Sequence, residues 1–327
     1  MNKEKLKGYV QLIRPYGIFI AMMPIIGAIS NGIFNNLFLL LLVGIFANSF
    51  GFVQNDYFDI EIDKKSGYVA KRPLASGLIS KKEALIFMFF LSFIPFVIVS
   101  IFFTYYSLAF LILFFIFYTI YNKFSKKFAW MEYSLGLAGT MIFLCGAFSQ
   151  KENISSLSLL LSILPTLKYV FNVGVSANLK DIKYDLLQGV KTTPAIFGAK
   201  VSDTIYLPKS FIIYAYTIKI IFIFIAGIAL FFAEPTFISI ISISLFIVTT
   251  FALIYTINKI FENIENRKEM LFYAEIHEIL TYVLIASIIY DYVAKNYNAF
   301  LSFALVILPP LWILFCLWIF FGGKPLE

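Results

Sequence analysis

The chain has 327 residues, of which 61% are hydrophobic and 14% charged. A soluble globule of this composition would lack the polar surface to cover its exterior, so the bilayer is its solvent and little room remains for a soluble domain. The net charge of +7 reports on membrane topology and attraction to anionic lipid, and no nucleic-acid partner is expected.

Along the chain, the first residues, MNKEKLKGYVQLIR, have the charged start of a signal peptide, but no small-residue cleavage site comes after them, and a retained first helix is expected. Runs such as Leu37 to Val53, Ala84 to Phe103, Ile212 to Phe232 and Phe300 to Phe321 approach or exceed the ~20 residues that cross ~30 Å of hydrocarbon. Hydropathy predicts spans near 16–34, 36–54, 83–103, 105–122, 130–148, 156–178, 208–232, 236–258, 271–294 and 298–321, an all-α polytopic bundle of nine or ten helices. The ninth is interrupted by Glu275, His277, Glu278 and Asp291, which leaves open whether it spans or lies against other helices or the interface. Cys145 and Cys316 sit in different apolar runs without disulfide or zinc spacing and read as packing residues. One membrane domain, 1–327, is the simplest count, with C-terminal helices over about 205–321.

Lysines and arginines collect at the N-terminus, in 55–83, 122–129, 178–202 and 258–270, and at Lys324, which are alternate connections. That side holds 21 of the 26 basic residues, and the positive-inside rule makes it cytoplasmic.

Two acidic segments lie on that side. The first reads Asn55-Asp56-Tyr57-Phe58-Asp59-Ile60-Glu61-Ile62-Asp63. On a helix Asn55, Asp59 and Asp63 fall at i, i+4 and i+8, drifting about 40° per step, so three oxygen-bearing side chains share a face. Asp56 and Glu61 point elsewhere on that wheel. The second segment, Asn178 to Asp185, again spaces two carboxylates, Asp181 and Asp185, at i and i+4. Like charges so spaced repel, and hard oxygen donors suit Mg²⁺, which takes one or two carboxylates and completes its shell with water and phosphate. Basic residues in the same loops, including Lys64, Lys65, Lys71, Arg72, Lys126, Lys127 and Lys191, can meet the remaining phosphate charge. Charges at a helix end often mark only the water boundary, but that reading leaves the paired spacing of both clusters unexplained. An ion-coupled transporter is the alternative from a different class, and it expects its charged site near the bilayer midplane.

At these residues the chain resembles the UbiA superfamily of intramembrane prenyltransferases. Asn55, Asp59 and Asp63 fit its Asn-xxx-Asp-xxx-Asp motif, in the form NDYFD...D that also brings Asp56 among the candidate metal ligands. Lys71 to Gly77, KRPLASG, is similar to the Arg-Pro-Leu-x-Ser-Gly stretch, Asp181 and Asp185 match the second motif, and Gly189, Lys191, Thr192 and Thr193 resemble a Gly-x-Lys-Ser/Thr-Thr segment. The resemblance runs through about 9–200. It implies a helical bundle with a cavity opening laterally to lipid, in which Mg²⁺ on Asn55, Asp56, Asp59, Asp63, Asp181 and Asp185 binds the diphosphate of an isoprenyl donor. It further implies that Arg72, Lys126, Lys127 and Lys191 hold phosphate oxygens, and that Asp59, Asp63, Asp181 and Asp185 carry catalysis. The expected partners are that donor, a hydrophobic acceptor (a quinone-precursor ring or an archaeal-type glycerol-phosphate lipid precursor) and membrane lipid.

Two residues stand apart. Lys168 is deep in the sixth span, with Asn172 and Ser176 at steps of four. On a continuous helix this stripe points nearly opposite to Asp181, toward another helix or the acceptor pocket. His277, the single histidine, is expected in a helix-end or interhelical hydrogen bond.

Overall fold

A computed structural model describes residues 3–65, 69–233 and 239–321. Lys324, one basic residue of the orientation argument, lies outside the described residues, as do residues 236–238 of the predicted eighth span. Helix α1 (Lys3–Ile13) meets α2 (Ile18–Ser30) at a 52° bend, where Arg14 takes a left-handed φ of 44°. Next come α3 (Leu37–Asp63), α4 (Lys81–Phe102), α5 (Tyr105–Phe124), α6 (Met131–Ala147) and α7 (Ser156–Phe171). A π turn over Asn172–Ala177 leads into α8 (Asn178–Lys180), α9 (Ile182–Leu187) and α10 (Thr193–Ile196).

Strands β1 (Lys200–Val201) and β2 (Ile205–Tyr206) make a short antiparallel hairpin, a small addition to the expected all-α fold. The chain continues in α11 (Lys209–Ala233), α12 (Ile240–Glu262), α13 (Arg267–Ile288), α14 (Tyr290–Asn296) and α15 (Ala299–Phe321).

Among the described residues eight helices are long and apolar enough to cross a bilayer, nine if α1 and α2 count as one bent span, and the apolar α6 is shorter. The residues that interrupt 271–294 do not stop α13 from being one of the eight, because His277 is buried and Glu278 is paired. Phe89, Phe93, Phe224, Phe251 and Phe303 face outward, whereas Ser107, Asn122, Lys168, Lys219 and His277 are buried. This inversion is what a lipid solvent demands, and the protein is an integral membrane protein.

Helix starts obey local chemistry. Ser80 and Glu83 form a capping box on α4, while Thr104, Ser155, Ser239 and Asn266 accept from the third backbone N–H of α5, α7, α12 and α13. The centre is α2, nearly all of it buried against α3, α6 and α7. The α2–α6 contact is backbone on backbone, since a Cβ on Gly146 would lie 1.8 Å from the Pro24 carbonyl oxygen, and one on Gly27 2.0 Å from that of Phe143. With no hydrophobic effect between helices in lipid, such small-residue contacts hold the bundle.

Candidate active site

The first acidic segment keeps its helical phase, because α3 runs unbroken to Asp63. Asn55, Asp59 and Asp63 line a cavity of about 820 Å³ at one end of the bundle. Asn55 Nδ2 donates to Asp59 Oδ2 at 3.4 Å. The second segment reaches the same cavity from another wall, and Asp181 and Asp185 both line it. Its phase is set by the π turn, which accommodates about one extra residue and rotates α8 by about 100° relative to a straight helix, and by a break at Asp181 that separates α8 from α9. The sequence pattern of α7 carries no mark of that turn.

Cations stand between the carboxylates. Arg72 Nη1 donates to Asp63 Oδ2 at 3.2 Å and to Asp56 Oδ1 at 3.1 Å. Lys126 Nζ is 3.6 Å from Asp185 Oδ1, and Arg267 Nη2 is 3.5 Å from Asp181 Oδ1. Burial pushes the Asp185 carboxyl above its ordinary value against the Lys126 charge. Burial works to lower the Lys126 ammonium, but the charges of Asp185, Asp59 and Asp181 outweigh it and hold the group above its ordinary value. The two groups are therefore electrostatically one unit. Lys191 also lines the cavity.

Two candidates stand elsewhere. Asp56 is not on the lining; it is 2% exposed and paired with Arg14 and Arg72, which makes it a strut for the guanidiniums. Lys127 is exposed and off the lining, because the turn that follows α5 directs Lys126 and not its neighbour into the cavity. Lys64 is paired with Glu61 at 3.3 Å.

Sequence reasoning missed Arg267, which also donates from Nε to the Lys180 carbonyl at 3.2 Å, and Glu132, which accepts from Thr193. Arg267 had one available signal, its place directly after the Asn266 cap on the basic side. Lys168 is fully buried, and its ammonium donates to Glu278 Oε1 at 2.8 Å. His277 bonds Thr256 Oγ1 through Nδ1 at 2.8 Å, the interhelical hydrogen bond expected of it.

Among the described residues no three acidic, histidine or cysteine side chains come close enough to enclose a metal ion. The donors are hard oxygens from two segments lining one cavity, with cations alongside. That set cannot cage an ion by itself, but it suits one whose shell is finished by water and a phosphate ligand.

The cavity wall beside the acids is aromatic, with Phe19, Phe52, Tyr118, Tyr121 and Tyr169. Comparison with known proteins agrees with the fold. A 4-hydroxybenzoate octaprenyltransferase of Francisella tularensis subsp. novicida is 29% identical over 217 residues, 63% of this chain and 75% of its own length. Other curated relatives of that name are matched over only 36% of their length. Among solved structures, a UbiA homologue from Archaeoglobus fulgidus bound to GPP and Mg²⁺ has a TM-score of 0.65 at 20% identity, covering 91% of this chain and 99% of that one. The structure of digeranylgeranylglyceryl phosphate synthase has a TM-score of 0.65 at 22% identity, over 89% and 99%. The UbiA prenyltransferase family model matches residues 17–276, and the chain belongs to that family, whose members are transferases of prenyl groups.

Proposed function

We propose that this protein transfers a prenyl group from an isoprenyl diphosphate to a hydrophobic acceptor, in a Mg²⁺-dependent reaction at the cavity. The observation that carries this reading is the convergence of both acidic segments, with Arg72, Lys126 and Lys191, on one cavity. Asn55, Asp59 and Asp63 would hold metal on one wall, and Asp181 and Asp185 on the other. Bound there, Mg²⁺ would supply charge stabilisation for the departing diphosphate. Arg72 and Lys126 then exchange carboxylate partners for phosphate oxygens, with the planar guanidinium able to grip two of them. The aromatic faces of Tyr118, Tyr121 and Phe19 shield the allylic carbon from water and stabilise its developing positive charge.

A quinone-precursor aromatic ring ranks first as acceptor, supported by the octaprenyltransferase relative, and a glycerol-phosphate lipid precursor second, supported by the fold of the digeranylgeranylglyceryl phosphate synthase. Purified protein incubated with labelled geranyl diphosphate, Mg²⁺ and a panel of acceptors should yield a prenylated product that disappears with chelator. No product from any acceptor would refute the assignment.

The cavity mouth is proposed to face the cytoplasm, on the strength of the basic-residue bias. Reporter fusions after Lys65, Lys127 and Lys191 should all report cytoplasmic. A fusion on the opposite side at any of the three would break the shared roof.

A further inference from the structure

Below the charged roof, the same cavity carries polar residues that diphosphate binding leaves unused. α13 runs inward from Arg267, which pairs with Asp181, so Glu278 lies about three turns, ~16 Å, deeper. Its carboxylate receives the Lys168 ammonium on one side, yet the side chain remains 43% exposed and lines the cavity. Lys168 itself is fully buried, with its Nζ 4.3 Å from the centroid of the Tyr169 ring. Behind it Lys219 is buried too, donating to Thr281 Oγ1 at 3.3 Å and lying over the rings of Phe171 and Phe222. Asn172, at the start of the π turn, lines the cavity with Nδ2 and Oδ1 both buried and without a hydrogen-bond partner.

The Lys168–Glu278 pair is unequally buried, at 0% and 43% side-chain exposure. Here the cation is enclosed and the anion is presented to the cavity. A carboxylate costs several kcal/mol at bilayer depth, a cost that the Lys168 ammonium offsets. An anionic carboxylate facing an apolar chamber selects a ligand with a hydrogen-bond donor and rejects another anion at that point.

We propose that Glu278 is the acceptor-side catalytic residue, taking the hydrogen bond and then the proton of a hydroxyl group, so that the acceptor is a phenol or an alcohol. This rests on the prenyltransferase reading above. With an alcohol, the acceptor oxygen forms the new C–O bond, the allylic C–O bond breaks with its electron pair going to the diphosphate, and the hydroxyl proton moves to a Glu278 oxygen. With a phenol, a ring carbon ortho to the hydroxyl forms the new C–C bond as the phenolic proton moves to Glu278. The ring carbon then loses its proton as the oxygen regains one, so one proton leaves per transfer in either case. Lys168 positions the carboxylate, and Asn172 is placed to hold a polar group of the acceptor.

The test uses the full-length protein with geranyl diphosphate, Mg²⁺, 4-hydroxybenzoate, its hydroxyl-free 4-methoxy analogue, and a panel of other acceptors with and without hydroxyls. Glu278→Gln should lower kcat by at least about 10²-fold. KM for the donor should stay within about twofold. Glu278→Asp should keep part of the rate, and a fluorinated 4-hydroxybenzoate with a more acidic phenol should recover rate in Glu278→Gln far more than in the parent. Lys168→Met with Glu278→Gln removes both charges, so it should restore thermal stability without restoring turnover; recovery of turnover would assign the pair a structural role only and overturn the proposal. An unchanged kcat in Glu278→Gln, or a parent that prenylates only acceptors lacking a hydroxyl, would also overturn it while leaving the prenyltransferase reading intact. A parent inactive toward every acceptor would overturn that reading itself, and this one with it.

Discussion

Asp59→Asn and Asp185→Asn should each lower Mg²⁺-dependent transfer by about 10³-fold, and the double variant should be little worse than either. The two side chains reach one cavity from α3 and α9, with Lys126 poised beside Asp185 and charged toward Asp59. Groups that act together on one diphosphate fail together, so the second loss finds nothing left to remove. Folding should be preserved. Burial pushes the Asp185 carboxyl above its ordinary value, and an amide of the same shape relieves the cost of burying its charge. Turnover and thermal midpoint measured side by side on the three variants and the parent separate the chemistry from the structure. Losses that multiply would show two independent sites, and full activity in either single variant would remove that residue from the mechanism.

The opposite pattern is expected one helical step away. Asp56→Ala should cost about 3–5 kcal/mol of stability, because it leaves a buried guanidinium without its partner. Arg14 reaches Asp56 across 42 residues of sequence, and its guanidinium also lies over the Phe52 ring at 4.9 Å. Arg72 keeps Asp63, so the larger part of the loss falls on Arg14. The measurement is thermal unfolding of the solubilised protein, with Arg14→Met added to Asp56→Ala as the control. Removing both charges should return most of the stability, since an absent ion pair costs far less than a broken one. If Asp56 ligated metal instead, Asp56→Ala would keep its midpoint in chelator and lose its response to Mg²⁺. This contrast, once measured, would assign Asp56 to the scaffold and Asp59 to the site, although both stand in the same five-residue NDYFD stretch.

The sequence by itself determined the class of solvent, the existence of the helices, and the stripe Asn55, Asp59 and Asp63. Each of these rests on neighbours within about four residues, where a 3.6-residue period and a 20-residue apolar run are written directly into the chain. The basic loops were legible for the same reason, but not which of two adjacent lysines enters the cavity. Lys126 and Lys127 differ by one residue in a connection after α5, and only the path of that connection turns one inward. Likewise the extent of the ninth apolar segment was ambiguous, because whether His277 and Glu278 are tolerable in a span depends on partners from α7 and α12. Tertiary structure alone decided the phase of the second acidic segment. Extrapolated as a straight helix, Lys168 and Asp181 point apart. The π turn over Asn172–Ala177 rotates the chain between them, so that the two carboxylates meet Lys126 and Arg267 while Lys168 meets a glutamate 110 residues away. Such pairings depend on how separate helices cross, a property of packing that no local period encodes.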